Sequence, residues 1–176
     1  MVYGQPYEVT EDVSATFHDA GHILGLAMLE LDVNEEGMRR KIVFSGDIRQ
    51  WDKPLIRDPS LLEEAGYIVM ESTCGVPDHN DAGDVETQLG DVIDETVSQG
   101  GSVIIPTFAV ERAQELMYHI SALVNGKNIL RVPIYLDSPM AVDVTDVFHN
   151  HRDSVYQETW DRIMLDEPPL GFSDSG

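Results

Sequence analysis

Apolar and polar residues alternate strictly over residues 26–33. Ala27, Leu29, Leu31 and Val33 fall on one side, and Met28, Glu30 and Asp32 on the other. That is the period of a half-buried strand with its aliphatic side toward a core. "VSATF" at 13–17 reads as a shorter strand before it. "NEEG" at 34–37 reads as a turn in which Gly37 takes positive φ, and "KIVF" at 41–44 as the returning arm of a hairpin. "KPLIRDP" at 53–59 is punctuated by Pro54 and Pro59 and reads as loop, and "PSLLEEA" after it as a helical turn or two. "YIVM" at 67–70 is a continuous apolar run, the signature of a strand covered on both faces.

Past a polar, turn-like stretch at 78–83 the period changes. Residues 84–98 place Val85, Leu89, Val92, Thr96 and Val97 at helical spacing, and "QGG" ends the run. "SVIIP" at 102–106 predicts a buried strand. A second helix is predicted from about 110 to 124, with Val110, Ala113, Leu116, Met117, Ile120 and Leu123 inward. "VPIYLDSP" at 132–139 predicts another strand, with Asp137 as a cap for the helix in "MAVDVTDVFHNH". Helix and strand alternate here, a parallel α/β pattern, whereas the first part reads strand, hairpin, strand. The change divides the chain at about residue 75.

Composition narrows the class. The chain has 176 residues, 42% hydrophobic and 24% charged, the range of a soluble globular protein. No apolar run approaches the roughly 20 residues of a membrane span, and the first residues lack a basic segment followed by an apolar one, so no secretory signal is read. One cysteine, Cys74, excludes an internal disulfide and suits a reducing, cytoplasmic compartment. Acids outnumber bases 32 to 11, a net charge of −21. The excess is spread along the chain. Such a surface repels phosphate backbones except at a local site, and its plain reading is solubility, in a salty cell above all.

Three strand ends carry residues able to bind metal. His22 follows the first strand in "FHDAGHILG", Asp47 follows "KIVF" in "FSGD", and Glu71 follows "YIVM" in "MEST". In open sheets, loops at one edge gather such side chains into a common site. Each also has an ordinary reading: a turn histidine, a helix N-cap, and a carboxylate capping the next turn. His18 reads as an incidental turn residue or a support for His22, His119 as exposed, and His149 with His151 as surface residues.

"DAGHILG", "FSGD", "ESTCG" and "IPTFAVERAQEL", in that order, together with "VPIYLDSPMA", resemble the β-CASP branch of the metallo-β-lactamase fold, whose members are mostly nucleic-acid-processing hydrolases. The resemblance runs from about Val13 to Phe148. It implies an α/β fold: part of a metallo-β-lactamase αββα sandwich over 1–75, followed by part of a β-CASP parallel α/β cap over 76–176. It implies that His22 binds zinc, that Asp47 bridges two zinc ions, and that Glu71 orients a catalytic histidine much later in the chain. Imidazole and carboxylate suit zinc, and a metal pair activates water for phosphodiester hydrolysis. Arg112 is implied to approach the substrate, with an Arg112–Glu115 pair as its ordinary reading. Ser72 and Thr73 are assigned to substrate contact.

The family's His-x-His-x-Asp-His cluster and its later histidines are absent, so the chain reads as an internal fragment, inactive alone and expected to be poorly stable. Cys74 stands where tyrosine is usual and reads as a small buried residue. Arg49 and Glu111 stand where glycine is usual, and Glu111 would add negative charge near passing phosphate. His79 matches a frequent family histidine. The implied function of the intact protein is a two-zinc ribonuclease acting on single-stranded RNA, without membrane association, with a homodimer as the oligomer to look for. The alternatives are a metallo-hydrolase of a non-nucleic ester or amide, and an inactive structural partner or remnant.

Overall fold

The computed structural model describes residues 2–48, 51, 53–73, 85–151 and 154–156. Arg49, Cys74, His79 and the stretch after Asp166 lie outside the described residues. Two compact units divide the chain, Met1–Pro77 and Asp78–Gly176.

The first unit is a five-stranded sheet in the order β1 (Pro6–Thr10), β2 (Val13–Asp19), β3 (Ala27–Glu35), β4 (Met38–Phe44) and β5 (Tyr67–Val69). The first four strands are antiparallel neighbours, and β5 adds parallel to β4. The hairpin closes through Glu36 and Gly37, both at positive φ (52° and 83°), the two-residue turn whose twist matches that of paired strands. β1 is a strand that the hydropathy pattern does not announce. Its five residues pair only with β2 and are mostly exposed, so an edge strand leaves little trace in hydropathy. Residues 59–65 form no helix.

The sheet corrects the expected side of the core. Met28 and Val43 are 3% and 4% exposed, and Thr16 on the same face is buried. The aliphatic face is only half-buried at Leu29, Leu31 and Val33, and Phe44 beside Leu29 is exposed. The deeper face carries charge because the charge is paired. Glu30 takes Lys41 at 3.2 Å and His18 at 3.4 Å, which offsets the desolvation of its carboxylate. His18 therefore lies within β2, facing Glu30, and not in a turn.

The second unit contributes α1 (Val85–Ser98), α2 (Arg112–Asn125) and α3 (Pro139–Asn150). Ile93, Ile120, Leu123 and Ile129 form its buried cluster, with Leu89, Val97 and Leu116 packed against it. Val85 and Val92 are half exposed, so the inward stripe of α1 is centred on Ile93. α3 starts at Pro139. Ser138, not Asp137, caps it, accepting the Ala141 N–H at 3.2 Å.

The two strands expected at 102–106 and 132–139 do not form: residues 102–106 and 132–138 lie outside any sheet, with Ile104 89% and Tyr135 79% exposed, and Pro139 starts α3. They line a cavity of about 700 Å³ instead of pairing with each other. A strand exists only where a neighbour takes its N–H and C=O groups, so among the described residues the parallel sheet expected of this unit is absent. No described helix is long and apolar enough to cross a membrane.

Candidate functional site at one edge of the sheet

β2 and β4 are both antiparallel to β3, and β5 runs parallel to β4. The C-terminal ends of β2, β4 and β5 therefore open at the same edge. These are the ends that lead to His22, Asp47 and Glu71.

The His22 loop is tightly determined. Ala20 N–H donates to Leu26 O at 3.2 Å and Leu26 N–H to Ile23 O at 3.0 Å, closing the loop on itself. Ala20 is fully buried. Gly21 turns the chain at φ 61°, and a Cβ there would lie 2.6 Å from Pro59 N, so glycine is required both by conformation and by space. Asp19 Oδ1 accepts the Gly21 N–H at 2.9 Å. Tyr3 donates its hydroxyl to Leu26 O at 3.1 Å. His22 itself is half-buried, with Nδ1 turned inward.

The Asp47 turn starts from Ser45, which is buried and donates its N–H to Val69 O at 2.9 Å, extending the β4–β5 pairing by one bond. Its hydroxyl donates to Gly46 O, and Gly46 reverses the chain at φ 55°. Asp47 emerges exposed.

Glu71 is exposed as well. Its Oε2 accepts the Thr73 N–H at 3.0 Å. The Thr73 hydroxyl, the Thr73 N–H and the nearby His22 together hold its carboxyl below the ordinary value. Glu71 thus caps its own turn, the ordinary reading of a carboxylate before "ST", and it also sits within electrostatic reach of His22. Thr73 is thereby engaged with Glu71, while Ser72 lies exposed beside it.

Among the described residues, no three His, Cys, Asp or Glu side chains converge closely enough to hold a metal ion. His22 and Asp47 suit zinc in kind, and two donors are fewer than the three protein ligands usual for catalytic zinc.

In the second unit, Arg112 opens α2 and pairs with Glu115 at 2.9 Å, its side chain 58% exposed. Glu111 before it is 2% exposed, so its charge does not stand in open solvent. Its φ and ψ of 68° and −55°, with Arg112 N–H donating to Val110 O at 2.8 Å, define a tight three-residue turn that glycine enters without strain. His119 is not simply exposed. Its Nδ1 lies 3.1 Å from Glu86, joining α2 to α1. Gln114 is a structural residue that sequence reasoning does not find. It is buried, and its Nε2 reaches Ala109 O, Ala141 O and Thr145 Oγ1 at 3.1–3.3 Å, tying α2 to α3. A glutamine among polar neighbours reads as surface, so hydropathy holds no signal for it. Asp19 likewise escapes the motif reading, although an aspartate two residues before a glycine at a strand end is a recognisable turn former.

The Beta-Casp domain family matches residues 113–175. Together with the ordered motifs from "DAGHILG" to "AVERAQEL", this bears out the resemblance to the β-CASP branch of the metallo-β-lactamase family. It is 40% identical over 136 residues to a ribonuclease of Thermus thermophilus, covering 77% of this chain and 30% of that protein. It is 35% identical over 152 residues to an RNase J-like protein of Methanocaldococcus jannaschii, covering 85% and 35%. It is 34% identical over 181 aligned positions to an endoribonuclease of Eremothecium gossypii, covering 96% and 21%. The chain thus spans about a third or less of the length of these curated relatives.

Proposed function

We propose that this chain is part of a metal-dependent ribonuclease that hydrolyses phosphodiester bonds of single-stranded RNA. The observation that carries the reading is the sheet edge, where three strand ends present His22, Asp47 and Glu71 together. The relatives named as ribonucleases support it. In this reading residues 1–75 belong to a metallo-β-lactamase sandwich and residues 76–176 to a β-CASP cap. His22 and Asp47 supply two ligands of a two-zinc centre, and donors beyond the described residues supply the rest. Zinc contributes an activated water and charge stabilisation. Glu71 holds a histidine in one tautomer by accepting its N–H, with Thr73 fixing the carboxylate from behind. Arg112 stands at a helix start, where its charge and the helix N-terminus both favour phosphate, and Ser72 and Thr73 lie beside the metal edge. The intact protein acts in the cytoplasm, off the membrane, and a homodimer fits this reading.

The alternative substrate, a non-nucleic ester or amide, draws its support from the acidic charge of the chain and from Glu111. The Glu111 side chain is buried, which weakens the second ground, and the cap-domain motifs argue against the alternative. The test is hydrolysis of labelled single-stranded RNA against a panel of esters by the zinc-loaded intact protein. RNA cleavage that a chelator stops, and that falls at least about 100-fold in His22→Ala and Asp47→Ala, is expected. Ester turnover without RNA cleavage would refute the proposal, and so would RNA cleavage indifferent to both variants.

A further inference from the structure

The loop that carries His22 is held from outside by a group that neither the motifs nor the similarity assigns. Asp19, the last residue of β2, joins the loop to a neighbouring segment through two different atoms. Its Oδ1 accepts the Gly21 N–H at 2.9 Å, and its carbonyl oxygen accepts the Ser60 N–H at 2.9 Å. The second bond brings the 57–60 segment against the loop. There Gly21 fits so closely that an added Cβ would meet Pro59 N at 2.6 Å, Pro59 Cδ at 2.7 Å and Arg57 O at 3.0 Å. Arg57 also lies within electrostatic reach of the Asp19 carboxylate. His22 follows Gly21 directly, so fixing the Gly21 peptide narrows the backbone positions from which the imidazole can leave the chain. Metal-ligating histidines depend on such outer support, because a ligand held in its binding orientation gives up less freedom when the metal arrives.

We propose that Asp19 is a positioning residue for His22, holding the Gly21 peptide against the Arg57–Ser60 segment so that the imidazole is oriented toward a metal ion before the ion binds. The inference rests on the reading of His22 as a metal ligand. What Asp19 contributes is an acceptor at a fixed place. Asparagine supplies the same oxygen. Alanine supplies none, and glutamate keeps the charge but carries it one methylene too far.

The test is a titration of the intact protein, which includes the remaining donors, with zinc ions, read by NMR at the ring nitrogens of His22. A residue-specific reading is needed because His149 and His151 offer zinc a second landing place. Wild type and Asp19→Asn should saturate at similar zinc concentrations. Asp19→Ala and Asp19→Glu should need about 10- to 100-fold more, with the His22 ring signals broadened before zinc is added. If Asp19→Ala fails to melt cooperatively, the Asn and Glu variants decide the matter between them, since both keep a polar side chain of similar size. His22 responding equally in wild type and Asp19→Glu would overturn the proposal while leaving His22 a ligand. His22 signals that ignore zinc in the wild type would overturn the ligand reading, and the positioning role with it.

Discussion

Single residues in this protein hold conformations that a different side chain would hold more easily, and Glu111 is the sharpest case. It occupies a strained positive-φ turn while its carboxylate is 2% exposed. Non-glycine residues in such regions cost on the order of 1–3 kcal/mol. Glu111→Gly is therefore expected to stabilise the chain by about 1 kcal/mol after the loss of the glutamate's own contacts. Urea unfolding checks this, and a lower midpoint would mean that the buried carboxylate stabilises more than the turn costs.

The carboxyls of Glu71 and Asp19 are shifted from their ordinary values in opposite directions. Glu71 is held down by Thr73 first and His22 last among the favourable causes, so its contribution is present above the ordinary value and is lost as pH falls through the lowered one. Thr73→Val removes the hydroxyl and should move the Glu71 titration upward, read by NMR at its carboxyl carbon. An unmoved titration would show that the hydroxyl does not bond Glu71. Burial raises Asp19 more than Gly21 N–H and Arg57 lower it. Its contribution is therefore present below its ordinary value and lost as pH rises through the raised one. Asp19→Asn should be at least as stable as wild type at neutral pH, and a clear loss in a thermal melt would contradict that.

At the level of elements, α1 and α2 meet through a small cluster, and two substitutions there should have opposite signs. Leu123 is 3% exposed within it. Leu123→Ala should cost about 2–5 kcal/mol in urea unfolding through lost burial and a residual cavity. Gly90 lies inside α1, and a Cβ there would stand 3.5 Å from Leu123 Cδ2 and 3.6 Å from Ile129 Cγ2, ordinary contact distances. Gly90→Ala should therefore stabilise by about 0.5–1 kcal/mol, from helix propensity with no clash. A destabilised Gly90→Ala would show that the helices pack closer than these distances. The helices themselves are legible in the sequence because their apolar residues recur at a fixed spacing. The centre of each buried stripe is less so. Several apolar residues compete for it on α1, and Ile93 wins by facing Leu123 and Ile129.

Across the whole molecule, charge works against the fold. A net −21 over 176 residues opposes compaction by self-repulsion that salt screens. The melting midpoint should rise by several degrees between about 0.05 and 0.5 M potassium chloride, where the screening length falls from beyond 10 Å to roughly 4 Å. A flat or falling midpoint would mean that specific pairs such as Glu30 with Lys41 and His18 outweigh the general repulsion. The half-open aliphatic face of the sheet and the exposed Ile104 and Tyr135 point to marginal stability at low salt, since apolar area left in water contributes nothing to the fold.

What the sequence determined by itself is whatever depends on neighbours a few residues away. The period of β3 is of this kind, as are the Glu36–Gly37 turn, the three helices and the glycines that bend the loops beside His22 and Asp47. The placing of His22, Asp47 and Glu71 at strand ends is also visible, because apolar runs stop abruptly there. Only the tertiary structure decided that those ends share one edge, since that follows from strand direction and order. It decided that the Met28 face is the deeper one, because a paired Glu30 can be largely withdrawn from solvent where hydropathy expects exposure. And it decided that residues 102–106 and 132–136 remain outside a sheet. Their apolar character is local, whereas a strand is completed by the hydrogen bonds of another segment.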